Sequence, residues 1–534
     1  MTPINSALSR FVLRADRQDD DVLERTFVEF GSAAAVLMSI DHQIVFGRRG
    51  TGKTHLLTHI RQSRRAEGEV AIQLDLRMIG SSNGMYADST TSVVQRGTRL
   101  LIEVLMATHS ALFDAALEEN TTLDLGTVGP LLDQFLDVIR EVKVVGSTTV
   151  ESSKSSEATD SSHAKVTATP SATVPILAVD FGAATTGKEA QAEKFVQQGT
   201  EIARVSFGSV GTALRKLVAA LPKRRLWLLI DEWSEIPLDL QPYLADLLRR
   251  AVLPAPGVAV KIAAIEQRSR FLIPNATTGN LGLELGADVA AAVSLDEYMV
   301  FDNDEAQAVA FFKKLVLSHV QDVMKGMNVV PPRDEADLIS LGFTQANAFE
   351  EIVRAAEGVP RDAMYLLTYS AQRAVDNLIS IGDVRGAALR HYQASKEPNV
   401  SANEDARRLL LWIIDQVIKA RQTKAFLLES GKKDRLIDYL YDERVLHVLR
   451  KGISAQDTPG IRYHVYGIDY GCYVDLINTV RAPKGLLDLG TSSQDFSYNV
   501  PRTDFRSIRR CVLSLDDFYD RSARQGELSL EPER

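Results

Sequence analysis

Two periods of apolar spacing alternate along this chain, and the places where the period changes mark its elements. The acidic run Asp19–Asp20–Asp21 opens a segment with helical spacing, which predicts a helix over 20–34. Its carboxylates suit the positive end of a helix dipole, a solvated helix start rather than a metal site. A short apolar run, Gln43-Ile-Val-Phe46, reads as a strand, followed by a Gly-rich turn and a helical segment, HLLTHIRQSRRAEG. Residues 69–78 (EVAIQLDLRM) give a second strand. Strand, helix, strand in that order predicts a parallel α/β sheet.

Helical spacing returns over 87–118 and 127–143. Residues 146–174 are then Ser/Thr/Ala-rich with almost no large apolar side chains. Such a stretch buries too little surface to offset its ordering entropy and is expected to be flexible, inside an insertion spanning about 81–205. The α/β pattern resumes with a helix at 206–221, the strand RLWLLIDEW, a helix at 240–252 and the strand VAVKIAAIE. From 301 to 395 the spacing is helical. Residues 404–480 give two helical runs and then an aromatic, β-branched, hairpin-like stretch, GIRYHVYGIDYGCYVDLI, an order that suggests a winged helix-turn-helix. The expected domains are a core over 1–300, a helical lid over 301–395, a winged helix over 396–485 and an extension over 486–534. In that extension DFRSIRRCVLSLDDFY suits a helix packing back on the body. No repeat of 20–50 residues is evident.

Composition changes this picture little. Of the 534 residues 45% are hydrophobic and 25% charged, ordinary for globular chains of several domains. Two cysteines are too few for a disulfide framework and fit a reducing compartment. With no secretory h-region and no run of about 20 apolar residues, the chain is expected to be cytoplasmic, with no membrane partner. A net charge of −9 excludes a protein that coats nucleic acid through its whole field, so any DNA contact must be local.

The chemistry begins at GRRGTGKT, which matches G-x-x-x-x-G-K-[ST] at every fixed position. Gly47, Arg48, Arg49, Gly50, Thr51 and Gly52 are expected to curl their backbone into an anion nest at a helix N-terminus. Lys53 would reach the β- and γ-phosphates of ATP, and the Thr54 hydroxyl would ligate Mg²⁺. The apolar strand LWLLIDEW is expected to lie beside the P-loop strand. It would deliver Asp231 to the Mg²⁺ through a water and Glu232 to the attacking water. A Glu directly after that Asp favours hydrolysis over a binding-only switch.

The order GRRGTGKT, LLIDEW, VKIAAIEQR, EGVPRDA resembles the AAA+ ATPases, most of all their origin-recognition initiator branch and related bacterial ATPases. The resemblance implies a three-layer P-loop NTPase sandwich with a parallel sheet, then a helical lid and a winged helix. It implies that Arg361, in Gly358-Val-Pro-Arg361-Asp-Ala, is the sensor-2 arginine over the γ-phosphate. It places the polar sensor-1 residue at Glu266 or Gln267, where the family has Asn, Ser or Thr. The stretch expected to carry the arginine finger, GLELGADVAAAVSL, has no arginine, and the nearest are Arg268, Arg270, Arg249 and Arg250.

Residues 404–484 carry 14 Lys plus Arg against 11 Asp plus Glu. Lys432, Lys433, Arg435, Arg444, Arg450 and Lys451 cluster near the expected recognition helix, with Arg462 on the wing. They suit DNA phosphates, yet Asp434, Asp438, Asp442 and Glu443 interleave with them as on a salt-bridged face. The module is therefore read as contacting DNA, docking a partner protein, or purely structural. Tyr463, Tyr466, Tyr470 and Tyr473 have strand-like spacing that suits core packing. Two functions follow: an ATP-driven switch acting on DNA or a DNA-bound complex, or a STAND-type signalling ATPase whose winged helix is regulatory, with self-association possible in either.

Overall fold

The computed structural model describes residues 1–29, 31–79, 92–118, 123–140, 142–145, 148–151, 178–181, 194–197, 200–274, 279–296, 305–431, 434–454, 460–474 and 511–520. The chain forms two compact units. A sheet unit comprises Ala35–Phe46 and Leu57–Val293, and a helical unit comprises Met1–Ala34, Gly47–Leu56 and Ser294–Arg534.

In the sheet unit the apolar runs become strands β1 (Gln43–Phe46) and β2 (Val70–Asp75). The insertion contributes β3 (Val142–Val145), β4 (Thr148–Glu151), β5 (Ala178–Phe181), β6 (Lys194–Gln197) and β7 (Thr200–Arg204). Then come β8 (Leu226–Asp231), β9 (Val258–Ala264), β10 (Leu272–Ile273), β11 (Leu281–Gly282) and β12 (Ala291–Ser294). The main sheet has the order β12-β1-β9-β8-β2, with β1, β9, β8 and β2 parallel. β8 and β9 are buried at every position, as near-continuous apolar runs covered on both faces must be. The acidic strand therefore does not adjoin β1: β9 lies between them, pairing Phe46 with Ala264 on one side and Ile230 with Ile262 on the other. The C-terminal ends of β1, β9 and β8 still share one edge.

The helix Val93–Leu117 starts at a capping box of Ser92 and Gln95. It is long and apolar enough to cross a membrane, but it sends Leu100, Leu101, Val104, Leu105 and Leu112 into the sheet's core. Of the run expected to be flexible, Thr148–Glu151 forms β4, paired antiparallel with β6, while 152–174 lie outside the described residues.

The helical unit corrects the helix expected over 20–34. It stops at Thr26, where Phe27 turns extended, and resumes as Ala33–Leu37. The lid region is five helices, Glu305–Gly326, Glu335–Gly342, Ala346–Ala355, Pro360–Ala374 and Ile381–Ser395. The N-terminal helix Pro3–Leu8 docks on them through Asn5, whose Nδ2 donates to Val375 O and Asn377 O, both at 2.9 Å.

After the helix Glu404–Ile414 come β13 (Ala425–Glu429), a helix Arg435–Asp442, and the hairpin of β14 (Leu446–Ser454) and β15 (Arg462–Ile468). They form an antiparallel sheet in the order β13-β15-β14 around Leu427, Leu449, Tyr463 and Val465. Tyr470 and Tyr473 are not on a strand: Asp469 accepts from Gly471 N at 3.1 Å and starts a helical turn that buries both rings. In the extension, Cys511–Leu513 runs along β13, with Leu427 N donating to Cys511 O at 2.8 Å and Leu513 N to Leu427 O at 3.0 Å. A bridge to β13 thus stands at Val512, the expected helix is present over 515–520, and 504–510 lie outside the described residues.

Candidate nucleotide site

Within the helical unit, residues 47–54 form a tight loop. Gly50 and Gly52 hold φ of +89° and +92°, the left-handed region that side chains resist. A Cβ at Gly47 would strike Thr51 Oγ1 at 2.4 Å, and one at Gly50 would strike Arg361 Cβ at 2.8 Å. The loop is thus closed to side chains at its crowded points, a backbone cradle of the kind that suits an anion. Lys53 opens the following helix and is buried. Its Nζ donates to Gly47 O at 2.7 Å and Arg48 O at 3.0 Å, so the ammonium lies across the mouth of the loop. Thr51 Oγ1 donates to Arg48 O at 2.9 Å, bracing the turn from within. Thr54 is half-buried on the first helical turn, and Arg49 is exposed.

Arg48 departs from its expected place among phosphate-facing residues. Its backbone N donates to Asp296 Oδ2 at 3.0 Å, and its side chain turns inward to Asp296 Oδ1 (2.7 Å), Glu357 O (2.9 Å) and His447 Nδ1. Burial works against the guanidinium charge, and Asp296, Tyr441 and Glu357 together more than restore it.

Arg361 sits at the first turn of Pro360–Ala374, where Pro360 at N1 needs no amide partner. Its backbone N donates to Gly50 O at 3.2 Å, tying this helix start to the loop. Its guanidinium makes no hydrogen bond or ion pair with any described residue. Burial, with Arg444 next in weight, pushes its pKa down from the ordinary arginine value. A half-buried cation with Asp362 nearby but no direct hydrogen bond or ion pair among the described residues, packed on an anion cradle, fits an incoming phosphate.

Beside the loop opens a cavity lined by Phe27, Ala34, Gly52, His55, Phe311 and Leu315 among others. Apolar walls with a few polar groups suit a flat heterocycle. Phe27 meets the His55 ring edge-on at 5.5 Å, and His55 Nε2 bonds Leu23 O at 2.5 Å. Nothing in the sequence pattern pointed to this cavity, because its walls come from several separate segments of ordinary apolar spacing.

In the sheet unit Asp231 ends β8 and is buried, accepting from Glu232 N at 2.8 Å, with Gln73 Nε2 at 3.5 Å. Glu232 itself takes φ 56° and ψ 39°, a left-handed conformation that a glutamate adopts at a cost of about 1–3 kcal/mol. Strain of this kind aims a side chain out of its strand. At the end of β9, Glu266 is exposed, while Gln267 Oε1 is buried without a partner. An orphaned buried acceptor beside a strand end favours Gln267 over Glu266 for the polar sensor position.

Gln241 was missed from sequence, where it looks like one more polar residue at a helix start. It is fully buried, and its amide makes four hydrogen bonds. Oε1 accepts from Trp233 Nε1 (3.1 Å) and Arg270 N (2.6 Å), and Nε2 donates to Ile236 O (2.7 Å) and Arg268 O (3.0 Å). The segments after β8 and β9 are thereby fastened to each other. Arg249 and Arg250 both pair with the buried Asp246, at 2.8 and 2.7 Å, so each has a partner within the chain. Arg268 is half-buried and Arg270 exposed.

Of the basic residues expected to face DNA, Arg435, Arg450, Lys451 and Arg462 are exposed. Arg444 is not available: it pairs with Asp362 at 2.7 Å. Lys432 and Lys433 lie outside the described residues.

No family model matches the chain, and no curated protein matches it. Among solved structures it is similar to Cdc6p from Pyrobaculum aerophilum, at 13% identity over 86% of this chain and 97% of that one, with a TM-score of 0.30. It is also similar to the Orc1 protein of Aeropyrum pernix in complex with DNA, at 12% identity over 87% and 93% of the two chains and again a TM-score of 0.30. The α/β P-loop fold stands on the strand order and the glycine loop described above.

Proposed function

We propose that this chain is an AAA+-type ATPase that binds and hydrolyses Mg-ATP to drive a conformational switch. The reading is carried by one observation: a loop with no room for a side chain at Gly47 and Gly50, closed by Lys53 at one end and met at Gly50 by Arg361 at the other. In this reading the amides of 47–54 other than that of Arg48, which Asp296 occupies, hold the phosphates, and the cavity beside Phe27 and Phe311 takes the base. Thr54 and Asp231 hold Mg²⁺, which when bound neutralises developing phosphate charge. Glu232 accepts the proton of the attacking water, Gln267 orients that water, and Arg361 carries occupancy into the lid helix. Arg268 and Arg270 remain candidates for completing a neighbouring subunit's site.

The elements over 404–468 have the order of a winged helix, and the exposed Arg435, Arg450, Lys451 and Arg462 suit duplex phosphates. We therefore read the switch as acting on DNA or a DNA-bound complex. A second reading, the STAND-type signalling ATPase, is favoured by a different feature: His447 of β14 contacts Arg48 of the loop. There the module restrains the nucleotide site and meets no DNA.

The ATPase rate with and without duplex DNA separates the two. Stimulation that falls steeply with salt supports the first. An unstimulated, slow rate with retained ADP supports the second and removes DNA from the account.

A further inference from the structure

Arg48 is the second residue of the phosphate-binding loop, yet all of its side-chain contacts lead away from the phosphates. Nε meets Asp296, Nη2 donates to Glu357 O, and Nη1 meets His447 Nδ1. Since Nδ1 accepts, the imidazole carries its proton on Nε2, which donates to Asp469 Oδ2 at 3.1 Å. Asp469 also holds Lys396 at 2.5 Å, and Lys396 holds Asp362 at 3.2 Å. Asp362 follows Arg361 in the lid helix and also pairs with Arg444, just before β14. Relative exposures are 2% for Arg48, 1% for His447, 2% for Lys396 and 2% for Asp362. All four are shut off from water, and a buried charged chain that loses one member strands the rest.

Resting on the nucleotide reading above, we infer that His447 is a positioning residue of the phosphate-binding loop. It acts through Arg48, so that the seating of β14 and the occupancy of the nucleotide site are thermodynamically linked. His447 touches no reacting atom. It fixes the Arg48 guanidinium, and through it the Arg48 backbone whose carbonyl receives Thr51 Oγ1 and Lys53 Nζ. Displacing β14 strips the Nη1 partner from Arg48, leaving Asp296 and Glu357 O to hold it, and loosens the loop that must grip a phosphate. Reciprocally, a nucleotide that tightens the loop must tighten β14.

Two measurements on the full chain test this. A fluorescent ADP analogue with Mg²⁺ is titrated into the native protein, His447→Phe and His447→Gln. The phenylalanine keeps the volume and removes the acceptor; the glutamine keeps an acceptor. Phe is expected to weaken binding by about tenfold or more, and Gln to stay within about threefold of native. Hydrogen exchange of residues 446–449 in the native chain, with and without Mg-ADP, needs no variant to fold. Nucleotide is expected to slow it by about threefold or more. Equal affinity in folded His447→Phe, or native exchange indifferent to Mg-ADP, overturns the inference alone. A native chain that binds no nucleotide overturns the nucleotide reading and this inference with it.

Discussion

At the scale of single residues, the two left-handed glycines of the loop differ in what surrounds them, and their substitutions should differ accordingly. A Cβ on Gly52 meets nothing within 4 Å, so Gly52→Ala adds backbone strain of about 1 kcal/mol. At Gly50 the same strain is joined by contacts at 2.8 Å to Arg361 Cβ and 3.2 Å to Val359 Cγ1. Gly50→Ala should therefore cost about 1–2 kcal/mol more in urea unfolding, as overpacking does; equal losses would mean that Arg361 does not rest on the loop. A pH dependence follows from His447. Burial first, and Arg48 next, depress its pKa to about 4 from 6.5. Between those values the unfolded chain takes up a proton that the folded chain refuses. The stability it contributes is complete above pH 6.5 and falls away as pH drops toward 4, by about 1.4 kcal/mol per pH unit at most. His319, also held at about 4 by burial, adds a parallel loss in the same window. His447→Gln should remove one share, flattening the fall in urea midpoint between pH 6.5 and 4.5; an unchanged profile would contradict the buried neutral imidazole.

At the scale of elements, the hairpin module's exposed basic residues are its only described candidates for DNA among those the sequence singled out. Changing Arg450, Lys451 and Arg462 together to Ala should weaken duplex binding at every sequence. It should also lower the slope of log affinity against log salt by about 3, since each phosphate no longer neutralised takes about one unit from it. An unaltered slope would assign the module to protein contacts. The main elements were legible because strands β1, β2, β8 and β9 are unbroken apolar runs and the glycine motif sits between a strand and a helix. Strand neighbours were not legible, since β9 pairs with both β1 and β8 through contacts that no local pattern encodes. Arg444 looked like a phosphate ligand because charge alone does not say which arginine meets an aspartate from a distant segment, and the Arg48 amide looked free for an anion because the motif does not show that Asp296 accepts from it. Gln241 was invisible for a related reason: its partners lie up to 29 residues away and are mostly backbone.

For the whole molecule, the account predicts linkage between ligand and stability. Mg-ATP at about 100 times its Kd should stabilise the folded chain by about 2.7 kcal/mol, read as a higher unfolding temperature, and Arg361→Ala should shrink that gain. The most direct test of the central claim compares three chains, native, Lys53→Ala and Glu232→Gln, for ATP binding and for phosphate release in the same samples. The expectation is binding and turnover in the native chain, neither in Lys53→Ala, and full binding with turnover at least about tenfold slower in Glu232→Gln. Native-like turnover in Glu232→Gln, or undiminished binding in Lys53→Ala, would contradict it.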